Sequence, residues 1–184
     1  MTATPHDIVS FWTEAGPAKW FARSEAFDAS IRQQFEPAHR AASRGEYAAW
    51  ADSAEGALAL LLLLDQFPRN LYRGSAHAFA TDPLARSIAE RAIAAGHDLA
   101  FGPGLRQFFY LPFEHSESLA DQDRSVALFG ALGAATGDDS WLKWAHIHRD
   151  IIVRFGRFPH RNAAFGRATT AEEQAFLDEG GFSG

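Results

Sequence analysis

The stretch Ala54-Glu55-Gly56-Ala57-Leu58-Ala59-Leu60-Leu61-Leu62-Leu63-Leu64-Asp65-Gln66-Phe67-Pro68-Arg69-Asn70 decides the architecture. Every residue from Ala57 to Leu64 is apolar, and Ala and Leu are strong helix formers. A helix that is apolar on all sides belongs at the centre of a fold. This run is far shorter than the ~20 residues of a membrane span. Its last turn carries Asp65, it is expected to end at Phe67-Pro68, and Arg69 and Asn70 follow at once. The signature returns at Phe155-Gly156-Arg157-Phe158-Pro159-His160-Arg161-Asn162, again after an apolar helix. Charged and amide groups at the ends of buried helices are costly unless paired. The two segments are therefore expected to meet in space and build one polar site inside an otherwise apolar protein.

Working outward, helix punctuation dominates. Thr4-Pro5 supplies a cap and a first-turn proline ahead of Ile8, Phe11 and Trp12. A second helix is expected from Ser24 to Arg44, with Phe27, Ile31, Phe35 and Ala38 on one face and Gly45 as its stop. Asp82-Pro83 opens another, with Leu84, Ile88, Ala92 and Ala95 as its stripe. Leu105, Phe108 and Phe109 mark a shorter helix that Pro112 is expected to terminate. Ser118 with Asp121 resembles a capping box for a helix through Leu132, and Asp138 or Asp139 caps the next, to about Phe155. Thr170 with Glu173 caps a final short helix. No strand-like alternation competes with these patterns. The expectation is an all-α fold of stacked antiparallel helix pairs, tetratricopeptide-like, with about eight helices in one domain over residues 1–184. The tetratricopeptide consensus itself is absent.

Composition removes several chemistries. The chain has no cysteine, so disulfides, thiolate nucleophiles and cysteine-ligated metals are excluded. A net charge of −6 argues against broad nucleic-acid or anionic-membrane binding. With no signal-like segment at the N-terminus, a cytoplasmic location is expected. Charge is uneven, however. Between Asp150 and Glu172 there is no carboxylate, while Arg154, Arg157, Arg161 and Arg167 fall in that interval.

Helix projection locates polar residues on apolar faces. His148 falls among Trp141, Trp144, Ala145, Ile151, Ile152 and Phe155, whereas His146 lies on the polar side with Lys143 and Asp150. Gln122 shares a stripe with Leu119, Val126 and Phe129, so a primary amide points inward and needs several partners. Asp65, at the negative end of a buried helix, requires a cation, and Arg69, Arg157 and Arg161 are the candidates. The segment Tyr110-Leu111-Pro112-Phe113-Glu114-His115-Ser116-Glu117 repeats the design of an apolar helix followed by polar groups. His115, Glu117, His148 and His160 could in principle supply metal ligands, but nothing like His-Glu-x-x-His is present, and neither a metal nor a cofactor is expected. Phosphate-cradle motifs are also absent.

At these motifs the chain resembles a known family. LDQFPRNLYR (Leu64–Arg73), YLPFEHSE (Tyr110–Glu117) and FGRFPHRN (Phe155–Asn162), followed by Phe165-Gly166-Arg167, resemble the bacterial domain of unknown function 924 family. The resemblance extends to Phe11-Trp12 and Trp20-Phe21 and covers nearly the whole chain. It implies a tetratricopeptide-like helical fold and carries no established activity. Glu114 stands where the family tends to an apolar residue, and Phe165 where it tends to leucine.

The expected function is a helical binding domain with a polar pocket for a small anionic molecule or a peptide. Asp65, Gln66, Arg69, Asn70, Glu117, Gln122, His148, Arg157, Arg161 and Asn162 are its candidate ligand-binding residues. A rival reading is a hydrolase with His115 or His160 as acid or base. A third makes the polar network structural and puts protein interaction on the outer surface. Within that third reading the arginines neutralise Asp65, Glu114, Glu117 and Asp121.

Overall fold

The computed structural model describes residues 3–182, and among these the chain forms helices and tight turns with no strand. The fold is all-α. Its contacts group into two compact units, Met1–Arg73 with His77–Pro112, and Gly74–Ala76 with Phe113–Gly184.

The first unit holds α1 (Pro5–Ala15), α2 (Pro17–Trp20), α3 (Glu25–Ser43), α4 (Ala54–Leu61), α5 (Phe67–Leu71) and α6 (Asp82–Ala94). It also holds α7 (Pro103–Glu114) as far as Pro112. Thr4 and Asp7 form a reciprocal capping box on α1, and the Ser24 hydroxyl accepts the Phe27 N–H at the start of α3. Each cap satisfies donors that a helix N-terminus leaves open. The α4 helix packs against α1 and α6, and every residue from Gly56 to Leu64 is buried, as its uniform apolarity requires. Around it Trp12 stacks on Trp20 with ring centroids 6.1 Å apart and meets Phe67 at 5.5 Å and Phe108 at 5.7 Å. Full burial of each such side chain contributes about 1.5–3 kcal/mol.

Three expectations change here. The helix does not end at Phe67-Pro68. It widens into a π turn over Leu62–Gln66, where the Phe67 N–H bonds to the Leu62 carbonyl, and continues as α5. Proline lacks an N–H and its ring crowds the carbonyl four residues back, so one extra residue per turn lets Pro68 pass without breaking the helix. Pro112 likewise lies inside α7, which runs on to Glu114. Leu84 is exposed, while Ala85, Ile88, Ala89 and Ala92 face inward, so small residues set the close approach of α6 to α4.

The second unit is built from α8 (Leu119–Thr136) packed along α9 (Ser140–Phe155), then α10 (Ala171–Asp178) against the tight turn Pro159–Arg161. Ile151, Ile152 and Phe158 form one buried cluster in it, with Ile147, Phe155, Phe176 and Phe182 around them. The face of α9 holds for Ala145, His148, Ile151 and Ile152, all buried. Trp144 departs from it: its indole is exposed, and the smaller Ala145 fills the close-packed position. Leu119 is also exposed. The expected Ser118–Asp121 box does not form. Asp121 accepts from the Ser116 hydroxyl at 2.6 Å, and that hydroxyl accepts the Ser118 N–H at 3.2 Å. Asp138 accepts the Ser140 N–H, and the Thr170–Glu173 capping box on α10 is complete.

Candidate functional site

In the first unit polar side chains gather at the π turn and along α5 after it. A π turn shifts the hydrogen-bond ladder and releases carbonyls that need new donors. His39 Nδ1 lies 2.8 Å from the Leu63 carbonyl oxygen, and the Thr81 hydroxyl donates to the Leu64 carbonyl at 2.6 Å. Because a carbonyl only accepts, His39 carries its proton on Nδ1. Burial pushes the His39 pKa down, which keeps the ring neutral. The Arg69 guanidinium donates to the Asp65 carbonyl, approaches Asp65 Oδ1 at 3.6 Å and binds Asp82 through two N–H groups at 3.1 Å each. Asp65, expected to need a cation, thus has one a single turn along the same chain. Gln66 donates its side-chain amide to Asp65. Asn70 donates to Asp28 at 2.7 Å, and Arg73 grips the same carboxylate at 2.6 and 3.0 Å. Burial opposes ionisation of Asp28, but the Arg73 and Asn70 donors outweigh it and lower its pKa.

In the second unit Gln122 ties down the end of α7. Its amide donates to the carbonyls of Glu114 at 2.6 Å and Ser116 at 2.7 Å, acceptors that a helix C-terminus leaves open. This explains an amide on an apolar stripe. His148 Nδ1 faces the Trp144 carbonyl at 2.9 Å and Glu114 Oε1 at 3.2 Å, so Nδ1 again bears the proton. Glu117 takes a two-pronged contact from Arg167, at 2.7 and 3.0 Å, and the Phe158 N–H at 2.8 Å. Burial opposes its ionisation, and these donors outweigh that and hold its pKa low.

Arg157 finds a carboxylate outside the set offered by the sequence. It binds Glu173 at 2.6 and 2.9 Å, and Asn162 and the Thr170 N–H add donors to the same group at 3.2 and 2.8 Å. The Arg157 hydrogen bonds, with the Thr170 amide, bring the Glu173 pKa down to about 2 although burial opposes them. Arg161 donates to the His115 carbonyl at 2.9 Å and lies over the Phe158 ring. The His115 ring sits 6.5 Å from that of His148, and the His160 ring lies 5.6 Å from Phe158 and 5.3 Å from Phe182.

Asp28, Asp82, Thr81, Glu173 and Phe182 were missed by sequence reasoning. Two of them had a local signal that pointed to a helix start and not to an ion pair: Glu173, three residues after Thr170, and Asp82, ahead of Pro83. Among the described residues no group of three or more His, Asp or Glu side chains is arranged to share a metal ion. A cavity of about 260 Å³ lies in the second unit, lined by Ile147, Ile151, Phe155, Phe176 and Phe182 with Asp150 and Arg154. None of the predicted ligand-binding residues lines it.

All three motifs, Leu64–Arg73, Tyr110–Glu117 and Phe155–Asn162, now have a structural setting. The family described as a bacterial protein of unknown function, DUF924, matches residues 8–181. The chain belongs to this family. A solved structure of a protein of unknown function from Agrobacterium tumefaciens is 52% identical, with a TM-score of 0.90 over 95% of this chain and 97% of that one. No curated protein matches. The DUF924 motifs quoted from the sequence coincide with the π turn, the end of α7 and the turn after α9. No helix among the described residues is long and apolar enough to cross a membrane.

Proposed function

We propose that this DUF924 chain is a binding domain in which the motif charges hold the helices in register. The ligand, a small anionic molecule or a peptide carboxylate, binds on the outer face of the second unit at Arg154. One observation carries this reading: the arginines of the cationic stretch differ in what engages them. Arg157 and Arg167 are chelated by Glu173 and Glu117, and Arg161 is committed to a backbone carbonyl. Arg154 lies over the Phe155 and Phe176 rings at 4.7 and 5.8 Å and lines the 260 Å³ cavity. Its contact with Glu172, 2.9 Å between two exposed side chains, is of a kind that contributes under about 1 kcal/mol, so a ligand anion competes with it readily. Pairs held by two hydrogen bonds and partly withdrawn from water do not exchange so easily.

The test is a titration of isotope-labelled protein with phenylacetate, read by amide chemical shifts. Shifts are expected along α9 and α10, and Arg154→Gln is expected to weaken binding about tenfold. Shifts confined to the π turn and α7, or an Arg154→Gln protein that binds as well as the parent, would overturn the reading.

A further inference from the structure

The pocket at Arg154 holds a second charge that a simple anion site would not want. Asp150 lines the same cavity one helical turn earlier on α9, and its side chain is exposed. Among the described residues it makes no ion pair. Residues four apart on a helix stand about 5–6 Å apart at Cβ, side by side on one face. The cavity thus offers one free carboxylate and one exchangeable guanidinium at its rim over an apolar floor.

That floor is Ile147, Ile151, Phe155, Phe176 and Phe182. The Phe182 wall is set by a tight turn: Gly180 takes φ 80°, and the Gly181 N–H returns to the Phe176 carbonyl at 2.9 Å. A side chain at Gly181 would come within 2.5 Å of Phe176. The turn holds the Phe182 ring 4.4 Å from His148, so the wall is backed by the buried core. At about 260 Å³ the space is below the usual range for drug-sized ligands, about 300–1,000 Å³, and suits one apolar side chain.

We infer that this pocket takes a free α-amino acid with an aromatic or branched aliphatic side chain, its carboxylate on Arg154 and its ammonium on Asp150. The inference rests on the proposed reading that Arg154 marks the ligand site, and adds the ligand's chemical class. A carboxylate without an ammonium meets repulsion from Asp150. An amine without a carboxylate leaves Arg154 with Glu172 and meets its positive charge. The zwitterion satisfies both ends, and its side chain removes the apolar floor from water.

The experiment compares L-phenylalanine, phenylacetate and phenethylamine by amide-shift titration of the full chain. Phenylalanine is expected to bind at least about tenfold more tightly than either analogue. Its shifts should fall on residues 147–155 and 176–182. Asp150→Asn, at an exposed unpaired position, should erase the preference over phenylacetate while the thermal unfolding curve stays unchanged. Equal binding of phenylalanine and phenylacetate overturns the amino-acid inference and leaves the anion site standing. Phenethylamine binding as tightly as phenylalanine also overturns it. Binding of none of the three removes both readings.

Discussion

Phe67-Pro68-Arg69-Asn70 and Phe158-Pro159-His160-Arg161-Asn162 share letters and a logic but not a backbone. In the first, Pro68 is carried inside a continuing helix by a π turn, and the released carbonyls are met by His39 and Thr81. In the second, Gly156 at φ 68° ends α9 in the left-handed region, so Pro159 opens a separate tight turn. Their asparagines nevertheless do the same thing. Asn70 donates to Asp28 alongside Arg73, and Asn162 donates to Glu173 alongside Arg157. Each motif is a clamp in which an amide and a guanidinium hold one carboxylate. The lesson is that the clamp was kept while the chain path differed: Asp28 comes from α3 and Glu173 from α10.

The clamps differ most in burial, and this orders the expected effects. The Glu173 side chain is 3% exposed and Asp28 14%. Glu173→Gln leaves buried donors short of an acceptor and breaks the α10 capping box, which should cost on the order of 2 kcal/mol in urea unfolding. Its pH dependence is specific. The folded-state pKa of about 2 lies below the ordinary 4.5, so the clamp contributes fully above about pH 4.5 and is lost as pH falls towards 2. The glutamine variant should lose less stability than the parent across that window. Asp28→Asn, in the more exposed clamp, should cost about 1 kcal/mol. A cost equal to that of Glu173→Gln would show that burial does not separate the two. The smallest effect belongs to the π turn. Thr81→Val removes one donor from the Leu64 carbonyl and should cost under about 1 kcal/mol, with faster amide exchange confined to residues around 62–68. Unchanged exchange there would mean that the turn does not depend on that donor.

Much of the fold was legible because its signals are local. The caps at Thr4 and Thr170, the stop at Gly45 and the burial of Ala57–Leu64 follow from short-range chemistry and a single period. The departures also have physical causes. Pro68 and Pro112 read as helix ends because proline removes a hydrogen bond, yet both lie inside helices, and at Pro68 a π turn shifts the ladder ahead of it. Gln122 is buried, as its apolar stripe requires, and what it does there depends on carbonyls eight and six residues earlier. The cationic excess between Asp150 and Glu172 is met partly from outside that interval, by Glu117 and Glu173.

The sequence by itself determined that this protein is helical, which helix is central, and that charges sit beside apolar helix ends. Each of these depends on neighbours within a turn or two, where spacing fixes geometry. Only the tertiary structure decided which carboxylate each arginine holds, that Pro68 is absorbed by a π turn, and that Asp150 and Arg154 share a cavity with Phe182. Those outcomes depend on distances between segments far apart in the chain, and an ion pair or a cavity wall exists only where packing brings its members within reach.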